Sequence, residues 1–420
     1  MNTFLSELKE RGLIAQLTNE NAINEQLNKG VRLYCGFDPT ADSLHVGSLL
    51  PLVTLLRFKR AGHTIFPLIG GATGMIGDPS FKAQERTLND VNTVNHFKTC
   101  ITEQIISLLG KDTDVVDNLH WTQDMSVLDF LRDIGKHFSI NAMISKESVK
   151  SRIERPDQGI SFTEFAYPLL QSMDFWKLMK SHECTMQLGG SDQWGNITAG
   201  IDLIHKKEGH DCVATGVTIP LVTKSDGTKF GKTESGAVWL SAEKTSPFKF
   251  FQFWLGTPDS DIEKLFKMFS FRTVSEIDEI LEADKKRNKP EAQMLLAEEL
   301  TALVHGIEKL NAVKQLNNAL FTGNFEDLSI EQFKEIEEKM PSLETQEVSI
   351  VELLVISGLA KSKKMARDFI QGGGIYLNGK KIIASEFEEM HQLEIVKDNL
   401  LHNRFSILQR GKQNFVLLKF

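Results

Sequence analysis

Apolar residues along the first 240 positions follow two alternating spacings. Short apolar runs at 33–36 and in TIFPLI predict buried strands, and small or polar residues follow each run. Helical spacing follows over 44–60, ending at Gly62, and again over about 91–109, 127–137 and 141–153. The segment TMQLGGSDQWGNITAGIDLIHKK repeats the order of strand, glycine turn and helix. Strands that alternate with helices predict an α/β fold with a Rossmann-like, doubly wound parallel sheet.

The pattern changes after this region. Residues 246–325 carry almost continuous helical spacing, and the acidic stretch at 326–347 has the composition of a linker. We therefore predict a Rossmann-like domain over 1–240, an α-helical domain over 246–325, a linker over 326–347 and a small α+β domain over 348–420.

Composition is typical of an ordinary globular protein, with 41% hydrophobic and 25% charged residues. The four cysteines form no C-x-x-C pair, which argues against a zinc knuckle or a redox motif. The N-terminus is charged and amphipathic without the apolar core of a signal peptide, and no apolar run is long enough for a membrane span. We expect a cytoplasmic protein with no membrane partner.

Charge is distributed unevenly along the chain. The net charge is −8, yet residues 348–420 hold 11 Lys and Arg against 7 Asp and Glu. A basic C-terminal segment fits contact with nucleic acid, and it fits an ordinary solvated surface equally well.

Polar side chains gather in YCGFDPTADSLHVGSL, where a predicted strand gives way to a helix. A helix N-terminus at the carboxyl edge of a parallel sheet is suited to bind phosphate. Gly36 lets backbone approach a ligand, Asp42 or Ser43 can cap the helix, and Thr40 and His45 can donate to phosphate oxygens. Taken alone, the stretch is better explained as a capped helix with a surface histidine.

A second candidate is KFGKT, in a loop at 224–236 rich in Gly, Lys, Ser and Thr. Its lysines and hydroxyl suit the charge that develops on phosphorus during phosphate chemistry, although a solvated basic turn has the same composition. Together, HVGS and KFGKT resemble the two signature motifs of class I aminoacyl-tRNA synthetases.

Longer matches in one order make the resemblance more specific. YCGFDPTADSLH, GGATGMIGDPS, GISFTEFAYPLLQSMDF, GGSDQWGNITAGIDL and DGTKFGKTESGAVWL are similar to bacterial tyrosyl-tRNA synthetases over nearly the whole chain. The segment GLAKSKKMARDFIQGGGIYLNGKKI resembles the small RNA-binding module that these enzymes carry at this end.

Three residues of one predicted helix also indicate a pocket. Tyr167, Gln171 and Asp174 lie at i, i+4 and i+7, on one helix face, and such a polar set is unusual for a core. Pro168 has no N–H, so we place it in the first turn or at a kink.

The resemblance implies specific roles for individual residues. Asp174 and Tyr34 would bind the substrate phenol hydroxyl, while Tyr167, Gln171 and Asp78 hold the ammonium group and Gln193 contacts the carboxyl end. The catalytic group would comprise Thr40, His45, Lys82, Arg86, Lys229, Lys232 and Thr233, around the phosphates. The ATP and adenylate contacts would come from Cys35, Gly36, Asp38, Gly47, Gly190 and Asp192. Ser48 stands where the motif has its second histidine, which puts Ser48 in doubt as a ligand contact.

The implied activity is a two-step tyrosine–tRNA ligase reaction on L-tyrosine, ATP with Mg²⁺, and tRNA(Tyr). No residue of the chain is expected to form a metal site, since the nucleotide phosphates would hold the Mg²⁺. The resemblance also implies a homodimer, with an interface in the inserted segment at about 120–165, around FLRDIGKHFSINAMI, and at Phe162. Two alternatives remain: tryptophan specificity on the same fold, and a non-catalytic RNA-binding relative.

Overall fold

The structure is a computed structural model. It describes residues 2–78, 90–145, 149–150, 153, 159–223, 230–233, 236–287, 291–337, 340–382, 384, 400–411 and 414–420, with backbone alone at 232, 233 and 287. These residues form two compact units, one of 1–245 with 249–304 and one of 246–248 with 305–420.

A six-stranded sheet organises the first unit. Its strands are β1 (Gln16–Leu17), β2 (Arg32–Phe37), β3 (Thr64–Ile69), β4 (Val116–Asp117), β5 (Met186–Gly190) and β6 (Thr215–Ile219). Their order is β1-β6-β5-β2-β3-β4, and all pairs are parallel except β1 with β6. The chain leaves β2 towards β3 and β4 and returns to β5 on the other side of β2. This reversal confirms the doubly wound sheet and forms a crevice at the carboxyl ends of β2 and β5.

Helices connect the strands. The first four are α1 (Thr3–Glu10), α2 (Glu20–Lys29), α3 (Val46–Arg60) and α4 (Val91–Leu109). The chain then forms helices at Leu119–Thr122, Val127–Asp133, Ile140–Ile144, Phe162–His182 and Trp194–Glu208, with 3₁₀ turns at Thr73–Met75, Gly135–His137 and Ser191–Gln193. The helix α3 is buried along most of its length, including Leu49, Val53 and Leu55, because it lies between β2 and β3 in the chain and packs on the sheet.

The first unit continues beyond the sheet. A hairpin of β7 (Lys232–Thr233) and β8 (Gly236–Ala237) leads to helices at Pro247–Leu255, Asp259–Phe269, Val274–Arg287 and Glu291–His305. Buried Arg11 donates to the carbonyls of Lys267, Ser270 and Arg272 at 3.1, 3.2 and 2.6 Å. Arg57, at the end of α3, donates to the Met268 carbonyl at 3.4 Å. These bonds fasten the helices of 249–304 to α1 and α3.

The second unit has its own sheet and core. Its helices are Ile307–Thr322, Ile330–Glu337, Ile350–Ile356 and Lys363–Gln371. Its strands are β9 (Ser342–Glu344), β10 (Ile375–Leu377), β11 (Lys380–Lys381), β12 (Phe405–Arg410) and β13 (Asn414–Lys419), in the order β11-β10-β12-β13-β9. Residues 326–347, which the sequence predicted to be a linker, therefore contain a helix and the strand β9. Phe333 of that helix stacks on Phe405, with ring centroids 5.0 Å apart, so apolar packing explains its order.

The predicted helical domain is also divided, since 249–304 belong to the first unit and 305–325 to the second. Among the described residues, no helix is both long enough and apolar enough to cross a membrane.

Candidate active site

The crevice at the carboxyl ends of β2 and β5 gathers polar side chains. Asp38, directly after β2, accepts hydrogen bonds from the Tyr167 hydroxyl at 2.9 Å and the Thr73 hydroxyl at 2.8 Å. A Cβ on Gly70 would lie 2.1 Å from the Asp38 carboxylate, so this close approach requires a glycine. The glycine-rich loop after β3 thus packs against the residue that follows β2.

Asp174 lies deeper in the crevice and is 3% exposed. Its carboxylate accepts hydrogen bonds from the Asn118 amide at 2.9 Å and the Trp121 indole N–H at 2.8 Å. Burial raises the pKa of Asp174 to about 7, and these two hydrogen bonds oppose the rise. The folded protein therefore binds this proton more tightly than the unfolded chain, and the contribution of Asp174 to stability falls as the pH rises from about 4 to about 7.

The Tyr34 hydroxyl is also buried, and it has no hydrogen-bonding partner among the residues that the structure describes. Burial, and then the charge of Asp174, raises the pKa of this phenol well above its usual value. A buried hydroxyl without a partner costs about 1–3 kcal/mol, so the position is favourable only if a ligand satisfies it. Tyr34 and Asp174 are suited to bind one further hydroxyl group.

A chain of amides and carboxylates forms the other wall. The Gln193 amide donates to Asp78 at 2.7 Å and to Asp192 at 3.0 Å. Gln171 donates to the Gln193 carbonyl oxygen at 3.3 Å, and the Asn196 amide donates to Gln171 at 3.0 Å. The acceptors Asp38 and Asp78 give this wall the negative charge that an ammonium group needs.

Tyr167, Gln171 and Asp174 lie on one helix, as their spacing predicted, and this helix runs from Phe162 to His182. Pro168 lies six residues beyond the helix start, so the first of the two predicted positions, the first turn, is excluded and a kink stays the prediction. The Ser172 hydroxyl donates to the Pro168 carbonyl at 2.6 Å.

The start of α3 differs from the prediction as well. Its N-cap is His45, whose Nδ1 accepts from the Gly47 N–H at 2.9 Å, and neither Asp42 nor Ser43 caps the helix. Asp42 pairs with Lys244 at 2.7 Å instead. Because Nδ1 is an acceptor, a neutral His45 carries its proton on Nε2, the outer nitrogen. A Cβ on Gly47 would lie 2.6 Å from the His45 ring, so glycine makes the cap possible.

The second motif meets the first at this point. Gly231 has a φ of 79°, and a Cβ there would lie 2.4 Å from Val46. The Phe230 ring packs against Phe253, Trp254 and Phe269, which anchors the end of the loop. Lys232 and Thr233 follow directly in β7, where the structure describes their backbone. Lys82, Arg86 and Lys229 lie outside the described residues.

The remaining predicted contacts lie along the same edge. Cys35 is buried, and burial followed by the charge of Asp192 raises the pKa of its thiol to about 12, so the group is a neutral thiol. Gly36 and Thr40 are exposed, and a Cβ on Gly36 would meet only Leu68, at 3.9 Å. A Cβ on Gly190 would lie 2.4 Å from Asp192, so this glycine allows the turn after β5.

Sequence reasoning missed Asn118, Trp121, Thr73 and Asn196. Asn118 connects two parts of the site, since it also donates to the Thr73 hydroxyl at 3.0 Å and accepts from the Ala72 N–H at 2.8 Å. The sequence did carry a signal for Asn118 and Trp121, because both follow a strand of the parallel sheet, where ligand-binding residues collect.

Comparisons with known proteins agree with this geometry. A family model described as tRNA synthetases class I (W and Y) matches residues 25–322. A second, described as Tyrosine--tRNA ligase SYY-like C-terminal domain, matches residues 332–418. The chain belongs to the class I aminoacyl-tRNA synthetases, and its fold is that of this class.

Individual relatives are more specific. The Tyrosine--tRNA ligase of Aliivibrio fischeri (strain MJ11) is 50% identical over 99% of this chain and 98% of its own length. That of Neisseria meningitidis is 50% identical over 99% of both chains. The solved structure of a C-terminally truncated Aspergillus nidulans mitochondrial tyrosyl-tRNA synthetase matches with a TM-score of 0.68 and 31% identity, over 76% of this chain and 95% of that one. The chain belongs to the tyrosine–tRNA ligase family.

Proposed function

We propose that the chain activates L-tyrosine with ATP, forming tyrosyl-adenylate and pyrophosphate, and then transfers the tyrosyl group to the 3′ end of tRNA(Tyr). The observation that carries the choice of amino acid is the buried Tyr34 hydroxyl, which has no partner in the described part of the chain and feels the charge of Asp174. A substrate phenol hydroxyl satisfies both groups, whereas phenylalanine leaves them unpaired. An indole N–H can donate but cannot also accept from Tyr34.

The substrate ammonium group binds where the acceptors collect. Tyr167, Gln171 and Asp78 hold it, and Gln193 contacts the carboxyl end. The Asp78–Gln193 and Gln171–Gln193 hydrogen bonds support this assignment, because they orient the acceptors before the substrate arrives. The tyrosine carboxylate then attacks the α-phosphate, so the protein supplies no nucleophile.

The ATP phosphates bind where the two motifs meet. Thr40 and the His45 Nε2–H donate to phosphate oxygens, and Lys82, Arg86, Lys229, Lys232 and Thr233 surround the leaving pyrophosphate. These groups stabilise charge that grows in the transition state. Cys35, Gly36, Asp38, Gly47, Gly190 and Asp192 form the adenylate side of the crevice. Mg²⁺ enters with ATP and is held by its phosphates.

Two surfaces support further assignments. Val127, Leu128 and Phe162 are 74%, 77% and 77% exposed. Exposed apolar residues of this kind favour a subunit interface, so we assign a homodimer whose interface includes them. The basic residues of 348–420 bind tRNA phosphates, and the enzyme acts in the cytoplasm.

Charging of tRNA(Tyr) with labelled L-tyrosine tests this function. We expect charging by the full chain with Mg²⁺ and ATP, and none by Asp174→Ala, which removes the acceptor for the phenol. A protein that binds tRNA(Tyr) without charging it would contradict the proposal and favour a non-catalytic relative. Charging with tryptophan in place of tyrosine would contradict both the pocket assignment and the proposed amino-acid substrate, and would leave only the class of reaction.

A further inference from the structure

The two residues before His45 are held by one side chain of α4. The Gln104 amide oxygen accepts from the Leu44 N–H at 2.9 Å, and the Gln104 amide nitrogen donates to the Ser43 hydroxyl at 3.0 Å. Both ends of the amide are therefore used on consecutive residues of the first motif. The partners are 60 and 61 positions apart in sequence, so no local pattern indicates the contact.

Ser43 extends this contact to the other side of the segment. Its hydroxyl is buried, donates to the Leu44 carbonyl at 2.8 Å and accepts from the Ser241 N–H at 3.1 Å. With the bond from Gln104, the hydroxyl has three partners, which uses its full hydrogen-bonding capacity. Such a hydroxyl holds one orientation.

Backbone pairing joins the same segment to the second motif. The Leu240 N–H donates to the Leu44 carbonyl at 2.8 Å, and the Val46 N–H donates to the Val238 carbonyl at 2.9 Å. His45 lies opposite Trp239 in this antiparallel bridge. The Val238 N–H in turn donates to the Gly231 carbonyl at 2.9 Å, directly before Lys232.

We infer that Gln104 and Ser43 are positioning residues, which fix His45 and the backbone at Gly231, directly before Lys232, as one unit for the attack on ATP. The inference rests on the proposed phosphate role of His45. Neither residue belongs to the tyrosine pocket described above, so their effect falls on the chemical step. Because the two motifs share backbone hydrogen bonds, a shift of 43–46 moves both.

Gln104→Met tests the inference most simply, because methionine keeps the length of the side chain and removes its donor and its acceptor. We expect kcat for adenylate formation to fall about tenfold or more, since misplacement by about 1 Å can cost 10²-fold. The dissociation constant for L-tyrosine, from equilibrium dialysis, should stay within about twofold of the wild-type value. Glu103→Met, an exposed neighbour on α4, is the matched control and should leave kcat unchanged.

A double-mutant cycle separates positioning from general support of the fold. In the His45→Ala background, Gln104→Met should lose at least half of its effect on the logarithm of kcat, because the imidazole it places is gone. An effect of full size in that background would overturn the inference. If His45→Ala itself left kcat unchanged, the proposed role of His45 would fail, a result distinct from failure of Gln104.

Two further outcomes would overturn the inference. One is a folded Gln104→Met protein with wild-type kcat, and the other is an equal loss of kcat and tyrosine affinity. If Gln104→Met does not fold, Gln104→Glu and Ser43→Ala carry the test, since each removes only part of the contact. Both should lower kcat at unchanged tyrosine affinity, and a wild-type kcat in both would overturn the inference.

Discussion

Tyr34→Phe should change stability and substrate binding in opposite directions. The Tyr34 hydroxyl is buried and has no partner among the described residues, and a buried hydroxyl in this state costs about 1–3 kcal/mol. Removing only the oxygen should therefore raise the free energy of unfolding of the free protein by about 1 kcal/mol. For a unit as large as the first one, that corresponds to an increase of roughly 1.5–2 °C in Tm.

The bound state should respond with the opposite sign. Loss of one hydrogen bond to the substrate phenol costs about 0.5–1.5 kcal/mol, so KM for tyrosine should rise about twofold to tenfold. Phenylalanine leaves the Tyr34 hydroxyl unpaired in the wild-type pocket and would no longer do so in the variant. Discrimination against phenylalanine should therefore weaken.

Two measurements on one protein preparation give the result: thermal unfolding without ligand, and ATP–pyrophosphate exchange with tyrosine and with phenylalanine. Tyr376→Phe makes the same chemical change on β10 of the second unit and should alter neither measurement. Tyr167→Phe should lower Tm, because the Tyr167 hydroxyl donates to Asp38 at 2.9 Å. A Tyr34→Phe protein with a lower Tm and an unchanged KM for tyrosine would refute the reasoning.

Three other changes test separate parts of the account. Trp121→Phe removes a hydrogen bond that lowers the pKa of Asp174, so this pKa should rise above about 7. The acidic limb of kcat/KM for tyrosine should then move to higher pH, and an unshifted limb would argue against Asp174 as the ionised acceptor. His45→Ala should lower kcat and kcat/KM together with little change in the KM for ATP, and a raised KM at constant kcat would make His45 a simple binding group. Replacing Lys361, Lys363 and Lys364 by alanine should leave pyrophosphate exchange unchanged and weaken tRNA charging. The slope of log K for tRNA binding against log salt concentration should become smaller by about 3, and an unchanged slope would exclude these lysines from the RNA contact.

The sequence predicted those parts of the fold that depend on local spacing. The run at 91–109 matches α4, and the spacing of Tyr167, Gln171 and Asp174 placed them on one helix. The sheet order was not predicted, but the alternation of strands and helices was enough for its parallel, doubly wound class.

The parts that the sequence did not reveal depend on contacts across the chain. Asp174 is held by Asn118 and Trp121, which lie 56 and 53 positions away. His45 replaces Asp42 and Ser43 as the N-cap because Asp42 pairs with Lys244 and the Ser43 hydroxyl is held by Gln104 and Ser241. These partners meet only once the sheet and α4 have assembled.

The central claim is that the Tyr34 and Asp174 pair selects tyrosine for activation, and ATP–pyrophosphate exchange with the full chain tests it most directly. The exchange rate is measured with L-tyrosine, L-tryptophan and L-phenylalanine side by side, at saturating ATP and Mg²⁺. The account predicts rapid exchange with tyrosine and exchange lower by several orders of magnitude with the other two amino acids. Exchange with tryptophan as fast as with tyrosine, or no exchange with any of the three, would contradict it.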